Sequence, residues 1–230
     1  MLSTVPLKLN SKYVLILASL YIACSIASDT VAFKFVNLQS LAVSGATIIW
    51  PLTYVLSDII AEVYGYNIAK KIIWLGLFCE LLFGILVKVV LDLPAASFWN
   101  YQAEFNTTLG STIKFITSGI MADIVSSFLN IYVLAKLKIL TKGKHFWIRS
   151  MIATALSEIT IVFLTIVPAF WDNIDFSALV NVLWSSYILE LIYLFVFVTP
   201  SALIASYLKM AEGYNAFDTH TRFNPFIINA

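Results

Sequence analysis

An all-helical, polytopic membrane protein with six spans is the fold class this sequence predicts, and three observations predict it. The AVILMFWYC set makes up 60% of the 230 residues, 12% are charged, and the mean hydropathy is +0.90. Soluble domains carry about a quarter charged residues. The apolar residues fall into runs close to the ~20 that cross a bilayer core. These runs are continuous rather than alternating, which disfavours a β-barrel. The same composition, with a net charge of +1, excludes a soluble globular domain, a disordered segment and a nucleic-acid-binding module. A strongly basic or acidic partner is not expected. The chain reads as one six-helix domain over residues 1–230, and the bilayer is its first partner.

The spans follow in order. The first, residues 13–32, is too long for a signal-peptide core. It ends in Asp29 and Lys34 rather than at a small-residue cleavage site, so it reads as a retained helix. The second, 42–63, contains Pro51, and the third, 72–91, stops before Asp92-Leu-Pro94. A loop over residues 92–112 carries Trp99, Tyr101 and Phe105, which suit the membrane interface. The fourth span is 113–134, the fifth is 148–171 with Pro168 near its end, and the sixth is 179–208 with Pro200 inside. Pro51 and Pro200 are expected to kink their helices and free backbone groups, which neighbours or a polar cavity must satisfy. The segment from Gly213 is polar and reads as frayed.

Loop charges give an orientation. Lys8, Lys12, Lys70, Lys71, Lys136, Lys138, Lys142, Lys144, Arg149, Lys209 and Arg222 are 11 of the 14 basic residues, and all fall on one side. The other side holds Asp92, Glu104, Asp172 and Asp175, with Lys34 and Lys114 nearby. The positive-inside rule then predicts that both termini are cytoplasmic.

The informative residues are acids inside the spans: Asp58, Glu62, Glu80, Asp123, Glu158 and Glu190. Each costs roughly 2.5–3.5 kcal/mol at a helix centre even on the lenient insertion scale. Lys88 is the one base deep in a span, eight residues from Glu80 on the same helix face, and reads as its loose partner. Asp58 and Glu62 share a face at i, i+4. Asp123, Ser126, Ser127 and Asn130 follow i, i+3, i+4, i+7. Ser150, Thr154, Ser157, Glu158 and Thr165 form one broad face, and Ser186 and Glu190 are four apart beside Tyr187. Stripes of Ser and Thr serve equally as helix–helix glue, but glue rarely needs a formal charge. Four striped helices are therefore expected to turn toward a common interior.

Cys24 and Cys79 lie singly in apolar runs and read as small buried thiols. His145 and His220 lie in polar stretches, so no metal cluster is expected and no cofactor is implied. A channel would need a pore ring, supplied by oligomerisation. An intramembrane enzyme would need a nucleophile–base pair or a metal, and neither Gly-x-Ser-x-Gly nor His-Glu-x-x-His occurs. A small-solute transporter needs a midplane pocket with a few polar groups and aromatic walls, and that reading matches. The chain is thus read as a non-enzyme.

The run Pro51-Leu-Thr-Tyr54-Val-Leu-Ser-Asp58-Ile-Ile-Ala-Glu62-Val-Tyr-Gly65, continued by Asn67-Ile-Ala-Lys-Lys71-Ile-Ile-Trp74, is the most specific stretch. It resembles the signature of the queuosine precursor transporter family, also called the vitamin uptake transporter family. The similarity extends over the chain in length and helix count. The resemblance implies a six-helix inner-membrane carrier that imports 7-deazaguanine bases without an ATPase. A carrier or binding subunit for another vitamin-like or cationic solute is the alternative. Three positions depart from the family pattern. Asp29 stands where an Asn precedes Ala32 and Lys34, Glu158 replaces the Asp after Ser157, and Glu190 follows Tyr187 where a Lys is usual.

The implied substrate class suggests a site. A guanine-like edge offers two adjacent donors, which a carboxylate accepts bidentately. Glu158 is the first choice for that reader, with Asp58, Glu62, Asp123 and Glu190 as further acids. Trp50, Trp184 and Tyr187 are candidates for stacking on the ring, and Asn130 for reading its acceptor side. Glu190 in place of Lys is expected to favour an amine-bearing base over a nitrile-bearing one.

Overall fold

The computed structural model of the chain describes residues 11–38, 41–170 and 175–227. The expectations that touch Lys8, Trp171 and Asp172 lie outside these residues. The elements run α1 Val14–Val31, β1 Phe35–Leu38, β2 Leu41–Ser44, α2 Ala46–Ile49, α3 Pro51–Tyr64, α4 Tyr66–Leu91, α5 Gln102–Leu140, α6 Phe146–Phe170 and α7 Phe176–Glu212. Among the described residues, six helical stretches are long and apolar enough to span a membrane, with α2 and α3 together forming the second. The protein is an all-α polytopic membrane protein.

Helix α3 is the axis of the bundle. Every residue from Ser57 to Tyr64 is buried. The helix packs against α1, α4, α5 and α7, and α5–α6 and α6–α7 pair along their lengths. The outward faces are apolar instead: Leu15, Phe78, Ile85, Phe163, Phe195 and Leu203 are all exposed. In lipid this inverted distribution is stable, because acyl chains are as apolar as Leu and only polar groups must be enclosed.

Several local expectations are corrected. The second span begins at Ala46, not at residue 42. Leu41–Ser44 instead pairs antiparallel with Phe35–Leu38, in the register Phe35↔Ser44 to Leu38↔Leu41. A short apolar run satisfies its backbone as strand or helix equally well, and hydropathy does not separate the two. Gly45 then turns the chain tightly against the end of α1. Its amide donates to the Lys34 carbonyl at 2.7 Å, and a Cβ there would come within 2.5 Å of the Val31 carbonyl oxygen.

Pro51 does not sit at a mid-helix kink. It occupies the first turn of α3, where no intrahelical N–H is required. The Thr53 amide and hydroxyl both donate to the Trp50 carbonyl, at 2.9 and 2.7 Å. Pro200 does lie inside α7. The Ser201 hydroxyl bonds the Val198 carbonyl at 2.8 Å beside it.

Residues 102–112 are helix rather than loop, because α5 starts at Gln102 with Glu104 in its first turn. At 39 residues and ~1.5 Å per residue, α5 is ~58 Å long, well beyond a ~30 Å hydrocarbon core. Lys88 does not pair with Glu80. It pairs with the exposed Asp92 one turn on, while buried Glu80 accepts from Ser25 of α1. A flexible lysine near a helix end reaches water more cheaply than it crosses the bundle.

The segment after Gly213 is not frayed through Ile227. The Lys70 ammonium donates to the carbonyls of Asn224 and Ile227, at 3.2 and 2.6 Å. Trp74 Nε1 donates to Pro225 O at 2.8 Å, and Asp218 caps α4 by accepting from the Tyr66 amide at 3.0 Å. The first residue of this segment is also partly desolvated, and burial raises the Tyr214 phenol above its ordinary range. Polar composition reads as disorder only where nothing distant is available to bond it.

Candidate functional site

Among the described residues, two neighbouring cavities in the bundle share a wall residue. The larger opens among the last turn of α1, β2, α2, the middle of α4, the first half of α5, the second half of α6 and the middle of α7. Its polar wall is Asp29, Thr47, Trp50, Glu80, Asp123 and Glu190. Its apolar wall is formed by Phe115, Ile116 and Ile120 of α5 with Ile161, Val162 and Ile166 of α6. The smaller lies toward the basic end, between Asp58 of α3, Ser150, Thr154 and Glu158 of α6, and Glu190 and Ser201 of α7. Glu190 lines both cavities. No Lys, Arg or His among the described residues lines either.

Among the described residues, the wall atom Asp123 Oδ2 is buried with no hydrogen-bond partner. The Trp50 indole lies edge-on to the buried Tyr54 ring at 6.2 Å. Glu158 and Glu190 lie close enough to interact directly. An unsatisfied buried polar atom costs about 1–3 kcal/mol, and more when charged.

Other acids are spoken for. Asp58 accepts from Asn130 Nδ2 at 2.6 Å, from Thr154 at 3.2 Å and from Ser150, which ties α3 to α5 and α6. Asn130 also donates to Ser57 Oγ at 3.3 Å. Glu62 is fully buried at the basic end. It binds Arg149 through two bonds of 2.8 and 3.1 Å, Lys209 directly, and Lys138 at 3.7 Å. Lys138 also donates to the Glu62 carbonyl at 2.5 Å and to Asn215 Oδ1 at 2.9 Å. Three cations from α5, α6 and α7 therefore converge on one carboxylate of α3.

The nine sequence-expected site residues thus separate. Trp50, Asp123 and Glu190 line the larger cavity, and Asp58, Glu158 and Glu190 the smaller. Asn130 lines neither and is held on Asp58. Glu62 lines neither and holds the basic end together. Trp184 is 60% exposed on the outer surface, with the half-buried Tyr187 ring edge-on to it at 6.5 Å.

Sequence reasoning passed over Asp29 and Glu80 as wall residues. Both carried a signal, since each is a carboxylate within an apolar run. Glu80 was assigned to Lys88, which lies on its own helix, whereas the structure turns it toward α1 and α5. Asp29, Glu80 and Asp123 lie close enough to repel one another. Ser127 occupies Asp123 Oδ1 at 2.6 Å, and Ser25 occupies one Glu80 oxygen.

A sequence profile of the family described as "putative vitamin uptake transporter" matches residues 44–205. A protein of Bacillus subtilis (strain 168), described as a probable queuosine precursor transporter, is 23% identical over 167 residues. That match covers 72% of this chain and 73% of the relative. No solved structure matches the chain.

Proposed function

The chain belongs to the vitamin uptake transporter family, and from that premise we propose that it is a carrier that brings a queuosine precursor, a 7-deazaguanine base, into the cell. It is a multi-pass membrane protein of a transporter family, so its work is solute movement rather than chemistry on a substrate. The observation that carries the substrate reading is the set of buried acids on the cavity walls, Asp58, Asp123, Glu158 and Glu190, with no Lys, Arg or His beside them among the described residues. A deazaguanine complements that set. Its N1–H and exocyclic amine are adjacent donors for a carboxylate, its exocyclic carbonyl oxygen is an acceptor for an indole N–H, and its flat face suits the apolar wall beside Trp50.

Glu158 and Glu190 are the proposed readers of the donor edge. A base lacking those donors would leave a buried acid unpaired, which is the strongest form of rejection a pocket has. Asp58 and Asn130 fix the backdrop of the smaller cavity. Glu190, shared by both cavities, stands where a substrate would pass from one to the other. The basic end is proposed to face the cytoplasm, by the charge bias of the loops, in the inner membrane. The curated relative's description supports this reading.

Uptake of a labelled deazaguanine by proteoliposomes holding only the purified chain tests it. The expected result is saturable uptake, blocked by excess unlabelled base and not by adenine. Uptake no faster than into empty vesicles would overturn the reading. Uptake of an unrelated vitamin-like solute in its place would move the protein to the alternative.

A further inference from the structure

The basic end of the bundle closes on a single carboxylate. Glu62 of α3 is fully buried, and Lys138 of α5, Arg149 of α6 and Lys209 of α7 converge on it. The cluster adjoins the smaller cavity. Glu62 is one helical turn on from Asp58, Arg149 precedes Ser150, and Asp58 and Ser150 line that cavity together with Ser201. Among the described residues, no member of the cluster lines either cavity. All three cations stand on helices that pair in succession, α5 with α6 and α6 with α7, while the acid stands on α3. One displacement of α3 against that layer therefore breaks every pair at once. Replacing a buried ion cluster by apolar side chains of the same shape is often neutral or stabilising, because buried ions have given up their hydration. Ions have one property an apolar seal lacks. When the helices part, water re-solvates the separated charges, so the open end presents little apolar surface.

A second, independent observation concerns the chain after α7. Residues 214–227 leave α7 and fasten across the same boundary, onto α3, α4 and α5. The Ala216 amide donates to the carbonyl of Val63, the neighbour of Glu62, at 3.1 Å, and Asp218 accepts from the Tyr66 amide at 3.0 Å. The Phe217 ring packs against Gly143 in the α5–α6 turn, where a Cβ would come within 2.7 Å of it. Phe223 lies edge-on to Tyr66 of α4 and Tyr132 of α5, at 5.1 and 5.5 Å. Lys138 belongs to both structures. It pairs with Glu62, donates to Asn215 Oδ1 at 2.9 Å and lies over the Phe217 ring at 5.0 Å. A segment fastened in this way cannot keep all its contacts if α7 and α5 move away from α3.

We propose that the Glu62 cluster is the gate on the basic side of the carrier, and that residues 214–227 are the latch that holds it shut. The proposal rests on the carrier reading above, because a solute in the cavities must pass the basic end to cross the membrane. The structure holds this gate closed. Opening separates α3 from the α5–α6–α7 layer and releases the latch from the α3–α4 junction. Lys209 is the contact that yields first, since its side chain is 23% exposed whereas those of Arg149 and Lys138 are 1% and 2% exposed. Lys138 makes the two parts cooperative: losing Asn215 and Phe217 weakens its hold on Glu62, and losing Glu62 weakens its hold on the latch.

The test is the reaction of one introduced thiol with a small, cationic, membrane-impermeant methanethiosulfonate, using the full chain in sealed membrane vesicles of each orientation. Cys24→Ala and Cys79→Ala remove the native thiols, and Ser201→Cys places one on the wall of the smaller cavity. Lys144→Cys, exposed in the α5–α6 turn, reacts from the basic side alone and so identifies that side. With the gate shut, Ser201→Cys is expected to react slowly from the basic side. Lys209→Met weakens the cluster, and Asn215→Ala with Asp218→Ala loosens the latch. Each is expected to speed the basic-side reaction about fivefold or more and to leave the opposite-side rate within about twofold, because losing a contact made only in the closed state raises the open population. A purely structural role loosens the whole bundle and raises both rates alike, which overturns the gate. Rates unmoved in both variants overturn it, as does a Ser201→Cys rate from the basic side equal to that of Lys144→Cys. The reaction needs no base, so these outcomes leave the carrier reading standing. Uptake no faster than into empty vesicles overturns the carrier reading, and the gate with it.

Discussion

At the scale of single residues, the protein holds two kinds of buried acid. Glu62 is a structural one. Removing one partner of a buried ion pair commonly costs about 3–5 kcal/mol, because the remaining charge stays dehydrated. Glu62→Leu strands three cations and is expected to destabilise the protein by about that amount, and Arg149→Met by less, since Lys138 and Lys209 remain. Thermal unfolding in detergent checks this, and a Glu62→Leu variant as stable as the wild type would contradict it. Glu158 is of the other kind. Glu158→Gln is expected to weaken base binding by about 1.5–3 kcal/mol, against about 1 kcal/mol or less for Ser126→Ala. Equal small effects in a binding titration would shift the reader to Glu190. The acids themselves are legible in the sequence, because a carboxylate amid apolar residues stands out at once. Their partners are not: Glu62 meets Arg149, 87 residues away, and Lys209, 147 residues away. Nothing local in the sequence encodes such a pairing.

At the scale of elements, the spans follow from apolar runs, and their number needs no tertiary information. What was hidden lies at their ends. The β1–β2 hairpin is built from a run as apolar as the helix it precedes, and α5 extends well beyond its hydrophobic stretch. The segment that follows α7 is ordered only because Lys70, Trp74 and the α3–α4 junction receive it. Gly65 is the hinge of that arrangement. Its φ of 86° and ψ of 171° belong to a region that only glycine adopts freely, and a Cβ there would come within 2.8 Å of the Ala216 Cβ. Gly65→Ala is expected to cost about 1–3 kcal/mol and to expose the chain around Phe217 to protease. Wild-type melting and unchanged proteolysis would contradict that. The same glycine ends the Pro51-to-Gly65 signature, so part of that signature serves the fold rather than the substrate.

At the scale of the whole molecule, the polar interior and apolar exterior make a carrier body with two cavities and one shared acid between them. The N-terminal end of α1 and the C-terminal end of α7 meet at one end of the bundle, where the Tyr13 amide and the Tyr64 hydroxyl both donate to Glu212, at 3.1 and 2.8 Å. With the basic loops at that end, reporter fusions at Lys142 and at Asp175 are expected to report opposite sides of the membrane, Lys142 cytoplasmic. The same side for both would contradict the topology. A structure of the chain with a deazaguanine base bound tests most directly whether the base sits in the acid-lined cavity. The ring is expected in the larger cavity against Trp50, with its donor edge within hydrogen-bonding distance of the Glu158–Glu190 pair. A base seated on the outer apolar face, or at the Glu62 cluster, would contradict it.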